Sequence, residues 1–481
     1  MTMDKYRIML ISPGLSAERQ AGALKDIANV LPTLGIGYIA SVLEKNDFEV
    51  GILDCIGEPL GVEQVAERVT AFDPGIIGIT ATILTINAAY AIARRLKEYF
   101  PHMPVIIGGP QFSSNPAETI EKEIFDLGVI GEGEDTFLEI SKAFRSGNFK
   151  ADNIKGVAYK DNGNIKQTDP RSFITDMDSI PFPARHLYPP LSVYKPVPAS
   201  YIRKPVGLMI TSRGCPYQCI FCDRSVFGNR FRAHSPAYVV DEMKLLIDRF
   251  GAREIRFMDD TFTMDMDRVF ELCEKMIKMG ISVPWTCLTR VNRVTPELLR
   301  TMKKAGCWQV IYGLESGDDK MLERMKKGVT VRDNEKAVRM AKKAGLNVRA
   351  TFVFGMPGET VDSIKRTVEF AKRVDLDVVN FFTVILYPGN ELYGIAKKEG
   401  KILHSDYEHY TSLIDAEETK LHYIPEDMTE RELKNSIVQA YRDYYLRPSF
   451  IFKQFLNIKN LEDIERYWSA FKSVVSLRKK H

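Results

Sequence analysis

Three of the seven cysteines fall in one octapeptide, Cys215-Pro216-Tyr217-Gln218-Cys219-Ile220-Phe221-Cys222. The spacing is C-x3-C-x2-C. Thiolates are soft ligands and suit iron–sulfur clusters, zinc or Cu(I). Three thiolates rather than four leave a centre with one open coordination position. Three unligated core cysteines are the alternative, since free cysteine packs well as a small apolar group. Gly214 and Pro216 shape this segment as a loop, which favours ligation. Further along, Asp259, Asp260, Arg290, Glu315, Ser316, Gly355 and Glu359 each follow an apolar run. No acid–base dyad stands out. Tyr201, Tyr312 and Tyr387 are candidate proton or hydrogen relays.

The elements that must position these groups alternate. The apolar run 206–211 reads as a strand, broken by Ser212-Arg213-Gly214, so the cysteines sit at its carboxyl end. In α/β proteins ligands bind at that end. Further strands are expected at 253–257, 284–288, 309–313, 347–354 and 378–386. Helices are expected at 237–250, 267–279, 295–305, 330–344 and 360–374. Right-handed crossovers place all six strand ends on one face.

Upstream, strands at 6–12, 50–54, 76–80, 105–107 and 127–130 alternate with helices at 35–46, 62–72, 85–100, 116–122 and 135–146. This is the pattern of an open, doubly wound sheet. No G-x-G-x-x-G opens its first helix, which disfavours a dinucleotide. Glycines recur at strand ends: Gly78 with Thr80, Gly108-Gly109-Pro110, and Gly131-Glu132-Gly133-Glu134. Such glycines let a flat ligand lie against the backbone.

The cysteine loop and the strand-end residues resemble the radical S-adenosylmethionine (radical SAM) family. The resemblance implies that Cys215, Cys219 and Cys222 hold a 4Fe–4S cluster whose fourth iron binds SAM. It places Phe221 near the adenine, and Asp259 and Asp260 near the SAM amino group. Glu315 and Ser316 then contact ribose and carboxylate, and the Gly355-Met-Pro-Gly-Glu359 segment flanks adenine. Arg290 reaches the SAM carboxylate or a substrate acid, unless it makes only a surface salt bridge.

The upstream part is similar to the cobalamin-binding domain of the B12-dependent, class B methylase-like subfamily. The residues carrying this are Pro32 to Tyr38, Asp54, Gly78 to Thr82, Gly108 to Pro110 and Gly131 to Glu134. The D-x-H-x-x-G motif is absent, so cobalamin is expected without a protein histidine ligand. His102, between prolines, reads as a surface residue. An α/β domain that binds nothing is the alternative.

The fold class expected is therefore α/β. A Rossmann- or flavodoxin-like cobalamin-binding domain (1–150) precedes a linker with a small hairpin (151–205). A partial (β/α)6 TIM-type radical SAM barrel (206–390) and a mostly helical extension (391–481) follow. Asp161-Asn-Gly163 is the hairpin's turn signal. Thr429 and Glu432 form a capping-box candidate. The aromatic, basic stretch 441–455 reads as a core-packing stripe. A substrate wall or a membrane contact aided by Arg478-Lys-Lys480 is the other reading.

The resemblance implies reductive cleavage of SAM to methionine and a 5′-deoxyadenosyl radical. Hydrogen abstraction from an unactivated carbon and methyl delivery from methylcobalamin follow. A small-molecule or lipid-like substrate and an electron donor such as flavodoxin or ferredoxin are implied partners. Two further readings stay open: oxidative cyclisation or ring rearrangement, and a non-catalytic corrinoid- or cluster-binding sensor. A methylthiotransferase fits less well, because residues 1–150 hold only Cys55 and the tail reads helical.

Bulk properties agree. The net charge of +3 over 481 residues argues against nucleic acid as a partner. Scattered Cys55, Cys273, Cys287 and Cys307 show no disulfide framework. The N-terminus has no signal-peptide pattern and no stretch reaches the ~20 apolar residues of a membrane span. A reducing cytoplasmic location is expected, with peripheral membrane contact left open.

Overall fold

The computed structural model describes residues 5–15, 30–404, 407, 420–456 and 468. The first sheet starts from β1 (Arg7–Ser12), buried along nearly its whole length, which is the signature of a strand covered on both faces. Around it lie β2 (Glu49–Asp54), β3 (Ile76–Thr80), β4 (Val105–Gly108) and β5 (Leu127–Val129). All five are parallel, in the order β2-β1-β3-β4-β5. Helices Val62–Phe72 and Ile86–Tyr99 pack on one face, around Val65, Ala89 and Ile92. Helices Leu34–Glu44 and Glu134–Arg145 cover the other, around Ile36, Phe137 and Ile140. The strand order reverses between β1 and β3, and such a switch point leaves a crevice at the carboxyl ends of the strands.

The hairpin β6 (Val157–Asp161) and β7 (Asn164–Gln167) departs from expectation. It was read as part of the linker, yet β6 pairs antiparallel with β5 and extends the sheet to seven strands. The physical reason is that Val157, Ala158 and Tyr159 are buried, and they cover an edge that β5 would otherwise expose. A short helix, Pro110–Ser114, lies between β4 and the helix Pro116–Glu121.

The linker that follows is pinned to both domains. Tyr194 donates to Asp54 at 2.6 Å, and Tyr188 donates to the Thr33 carbonyl at 2.7 Å. Burial pushes the Asp54 carboxyl up to about 6. Arg185 forms a buried ion pair with Glu242 and donates to the Leu208 carbonyl at 2.7 Å.

The second sheet has six parallel strands in sequential order. They are β8 (Val206–Met209), β11 (Glu254–Phe257), β12 (Trp285–Thr289), β13 (Cys307–Glu315), β14 (Asn347–Phe354) and β15 (Val378–Thr383). Their outer faces bury Phe257, Trp285, Tyr312 and Phe352 under helices 236–248, 266–278, 296–304, 331–343 and 361–373. Ser212-Arg213 does not merely break β8. It forms β9 (Ser212–Arg213), a two-residue antiparallel ladder with β10 (Arg232–Ala233). That ladder closes the neck of the cysteine loop.

The last strand, β15, would be an open edge. Helix Glu430–Tyr445 packs there, and its tyrosines satisfy the edge backbone. Tyr445 and Tyr441 accept from the Val379 and Phe381 amides at 2.8 and 3.1 Å, and each also donates to the same residue's carbonyl. Tyr444 is fully buried. The aromatic stripe is therefore core packing from Tyr441 to Phe450, whereas Phe452 is exposed. The Phe455 side chain and Arg478 to Lys480 lie outside the described residues. The Thr429/Glu432 capping box forms as expected.

Candidate active site

One cavity of about 1020 Å³ lies between the carboxyl ends of the two sheets. Its barrel side is lined by Cys215, Cys219, Cys222, Asp260, Arg290 and Glu315. Its opposite floor is lined by Gly78, Thr80, Gly108, Gly109, Gly131 and Ser12. The two groups of strand ends therefore face one another across a shared space.

The cysteine loop is held from several directions. Its neck is the β9–β10 ladder. The Ile220 amide donates to the Met325 carbonyl at 3.2 Å, and Asn390 donates to the Phe221 carbonyl at 3.0 Å. Gly214 has φ +84°, a conformation that favours glycine, and it brings the backbone against Arg230. Cys219 is buried, whereas Cys222 is exposed to the cavity. A hydrogen bond from Cys222, aided by Lys327 and Arg290, lowers the Cys219 thiol to about 5; the paired Cys222 thiol is pushed up in return. Among the described residues, no three thiol, carboxylate or imidazole groups are drawn together as one metal ion would require. Three thiols bordering a wider space are instead a donor set for a multi-iron cluster.

Arg290 is not at the surface. It is buried, with Nη1 3.4 Å from Cys219 Sγ, Nη2 on the Lys327 carbonyl, and its guanidinium 3.6 Å over the Tyr217 ring. Lys327, which the sequence reading missed, donates to Glu315 Oε1 at 2.7 Å. Glu315 has φ +61° at a register shift between β13 and β14. A bulge of this kind re-aims a side chain beside a site.

The two aspartates separate. Asp259 accepts from the Thr211 amide at 2.7 Å and from the Thr211 and Ser212 hydroxyls at 2.6 Å each. Both of its oxygens are used in latching β11 to the loop neck. Asp260 is exposed to the cavity. The recess of the cavity desolvates it, and with Asp259 beside it this pushes the Asp260 carboxyl above the usual range.

Four expected contact residues do not line the cavity: Phe221, Ser316, Gly355 and Glu359. Phe221 packs beside Ile220 and Met356. Ser316 is buried; its hydroxyl accepts from the Asp318 amide at 3.2 Å and pairs with the Thr367 hydroxyl at 3.1 Å. Glu359 accepts from the Gly355 and Met356 amides at 2.6 and 3.2 Å and shapes that loop from beneath. Of the three tyrosines, only Tyr387 lines the cavity; Tyr312 points into the outer core.

The floor fits a broad, flat ligand. A Cβ on Gly108 would meet nothing nearer than the Val129 carbonyl at 3.8 Å, and one on Gly35 would meet nothing within 4 Å. Both glycines line the cavity, so their missing side chains are ligand space. Among the described residues no histidine lines the cavity, and His102 is exposed. Glu132 lines the cavity and is also tied to the cysteine loop. Its carboxylate is occupied by Arg213 at 2.9 Å, Arg232 at 2.8 Å and the Ile174 amide at 3.0 Å.

A doubly wound sheet facing a partial barrel, with three thiols at their junction, defines a two-cofactor enzyme class. The Radical SAM superfamily model matches residues 209–371, and the B12 binding domain model matches residues 22–141. The chain is 34% identical to an uncharacterized methyltransferase of Pyrococcus horikoshii, over 94% of this chain and 95% of that one. It is 27% identical to the anaerobic magnesium-protoporphyrin IX monomethyl ester cyclase of Rubrivivax gelatinosus, over 92% and 78% of the two chains. Its fold is similar to that of the radical SAM methyltransferase TsrM from Kitasatospora setae, solved with cobalamin and a [4Fe-4S] cluster. The TM-score is 0.70 at 19% identity, over 92% of this chain and 90% of that one. The chain belongs to the B12-binding radical SAM family. Its cofactors are SAM with its 4Fe–4S cluster, and cobalamin.

Proposed function

We propose that this chain is a cobalamin-dependent radical SAM methyltransferase acting on an unactivated carbon of a small-molecule or lipid-like substrate. The observation that carries this is the single cavity shared by the three cysteines and the glycine floor. When bound, the reduced cluster supplies the electron that cleaves SAM, and methylcobalamin supplies the methyl group.

The chain's own residues bind, orient and exclude water. Cys215, Cys219 and Cys222 hold the cluster. Asp260, which faces the cavity and accepts from the Gly214 amide, is the carboxylate offered to the SAM amino group, while Asp259 holds Thr211 and Ser212 of the loop neck. Glu315, anchored by Lys327, is placed for ribose hydroxyls, since a carboxylate accepts two hydrogen bonds. Arg290 covers Cys219 and keeps water from that sulfur. Gly355 and Glu359 act through the shape of their loop. Gly78, Thr80, Gly108, Gly109 and Gly131 cradle the corrin, which takes no histidine from the chain. The division into a corrin unit, linker, barrel and helical extension follows this assignment. The hairpin goes with the corrin unit. Electrons come from a donor such as flavodoxin or ferredoxin in a reducing cytoplasm.

Among the described residues no helix is long and apolar enough to cross a membrane. Membrane contact at the chain's basic end therefore rests on the sequence alone.

The test is anaerobic reconstitution followed by an assay for 5′-deoxyadenosine. The wild type should release it, and Cys219→Ala should lose both cluster absorbance and release. No cleavage by the cluster-loaded wild type under strong reductant would leave the sensor reading. The likeness to the cyclase over nearly the whole chain favours a second reading, oxidative cyclisation. Product mass separates the two: one added methylene unit for methylation, lost hydrogens for cyclisation.

A further inference from the structure

The cysteine loop is gripped on both shoulders by the other domain. On the leading side, Arg213 stands two residues before Cys215 and is 2% exposed. Its two terminal nitrogens bond Glu132 at 2.9 Å, from the loop after β5, and Glu134 at 2.6 Å, at the start of the helix that follows. Arg232, at the other end of the loop, adds a second guanidinium to Glu132 at 2.8 Å. Arg213 also lies between two rings, 5.2 Å from Tyr38 of the first domain and 5.2 Å from Phe227 of the loop itself. On the trailing side, Ser114 from the segment after β4 bonds Asp223, the residue directly after Cys222, and sits 3.0 Å from the Ser225 hydroxyl. Asp223 in turn accepts from the Ser225 amide at 2.9 Å.

The segments that grip the loop are the ones whose glycines line the corrin side of the cavity: Gly108 and Gly109 before Ser114, and Gly131 and Gly133 around Glu132. We infer that Ser114, Glu132, Glu134, Arg213 and Asp223 form a clamp that fixes the cluster loop against the corrin floor and so sets the separation of the two cofactors. The inference rests on the cofactor assignment above for its functional meaning, and on the contacts alone for the clamp. The partners lie 79 to 109 residues apart in sequence, so each bond ties one domain to the other. Breaking a buried ion pair costs more than a surface one because the remaining charge is left without a partner. The arrangement is therefore stiff. These are positioning residues: none needs to touch a reacting atom.

The test uses the full chain with Ser114→Ala and Glu134→Ala combined. The Arg213–Glu134 pair is lost on one shoulder and the Ser114 bonds to Asp223 and Ser225 on the other, while Glu132 still bonds both Arg213 and Arg232. Protein loaded with iron, sulfide and hydroxocobalamin is reduced to give two paramagnets, cob(II)alamin and the reduced cluster. In the wild type the cluster should speed the spin relaxation of cob(II)alamin by a single, well-defined coupling. In the double variant, with iron and corrin contents equal to wild type, that enhancement should fall at least twofold. An unchanged enhancement would overturn the clamp.

A second measurement needs no cofactor. Amides 213–228 should exchange with deuterium about tenfold faster in the double variant, while those of helix 236–248 stay unchanged. Equal acceleration in both segments, or none in the loop, also overturns it. A wild type that takes up iron but no corrinoid would sink the cobalamin assignment, and the exchange result would still judge the clamp.

Discussion

Adjacent glycines at the end of β4 should respond to substitution in opposite ways. At Gly108 an added Cβ has only ordinary contacts, 3.8 and 3.9 Å from Val129, and points into the cavity. Gly109 has φ +93°, and its Cβ would lie 2.5 Å from Thr80 Oγ1 and 2.9 Å from the Ala81 carbonyl. Gly108→Leu therefore leaves the cofactor-free fold intact and fills ligand space. Forcing extra carbons into a packed contact costs about 1–3 kcal/mol. At 1.4 kcal/mol per tenfold, corrinoid affinity should fall about 5- to 150-fold. Gly109→Ala instead strains the backbone whether or not ligand is present, at about 1–3 kcal/mol of stability. Spectroscopic titration with hydroxocobalamin gives the affinity, and urea denaturation of the cofactor-free chain gives the stability. Wild-type corrinoid affinity in Gly108→Leu would refute the ligand-space argument. Full stability in Gly109→Ala would refute the strain argument.

Glu242→Gln removes the charge opposing buried Arg185, and breaking such a pair costs ~3–5 kcal/mol, read as a lower urea midpoint. Burial pushes the Glu359 carboxyl up to about 8. Its folded-state pKa lies above the unfolded value, so its contribution is full below about pH 4.5 and is lost as pH rises towards 8. Glu359→Gln has no such charge to bury, so its stability relative to wild type should improve by a few kcal/mol between pH 5 and pH 8. Urea titrations at the two pH values check this, and a constant difference would contradict it. Tyr445→Phe strips the hydroxyl that pairs with the Val379 amide and carbonyl on the edge strand. A loss of ~1–2 kcal/mol is expected, with faster amide exchange confined to β15.

Much of this protein is legible from its sequence. The main strands of both sheets and the location of the cysteine loop follow from apolar runs alternating with helical spacing, whereas the order β2-β1-β3-β4-β5 of the first sheet is set only by assembly. These signals are local, and parallel strands covered on both faces read as near-continuous apolar segments. The hairpin was visible through Asp161-Asn-Gly163, but its membership was not. Pairing of β6 with β5 depends on an exposed edge, and an edge exists only once the sheet is assembled.

The same division runs through the site. Cysteine spacing identified a soft, three-thiolate centre, and strand-end glycines marked the opposite floor. Sequence order could not say which carboxylates are free. Asp259 and Asp260 are adjacent and of one residue type, yet Thr211 and Ser212, some 48 residues away, consume the first and leave the second facing the cavity. Glu132 lines the cavity, and only folding brings Arg213, 81 residues on, to its carboxylate. Lys327 and Ser114 belong to no recognisable motif, and folding alone brings them to Glu315 and Asp223. Residue type and spacing thus determine which chemistry is available. Tertiary structure decides which groups remain to perform it, because a buried charge must find a partner and that partner comes from elsewhere in the chain.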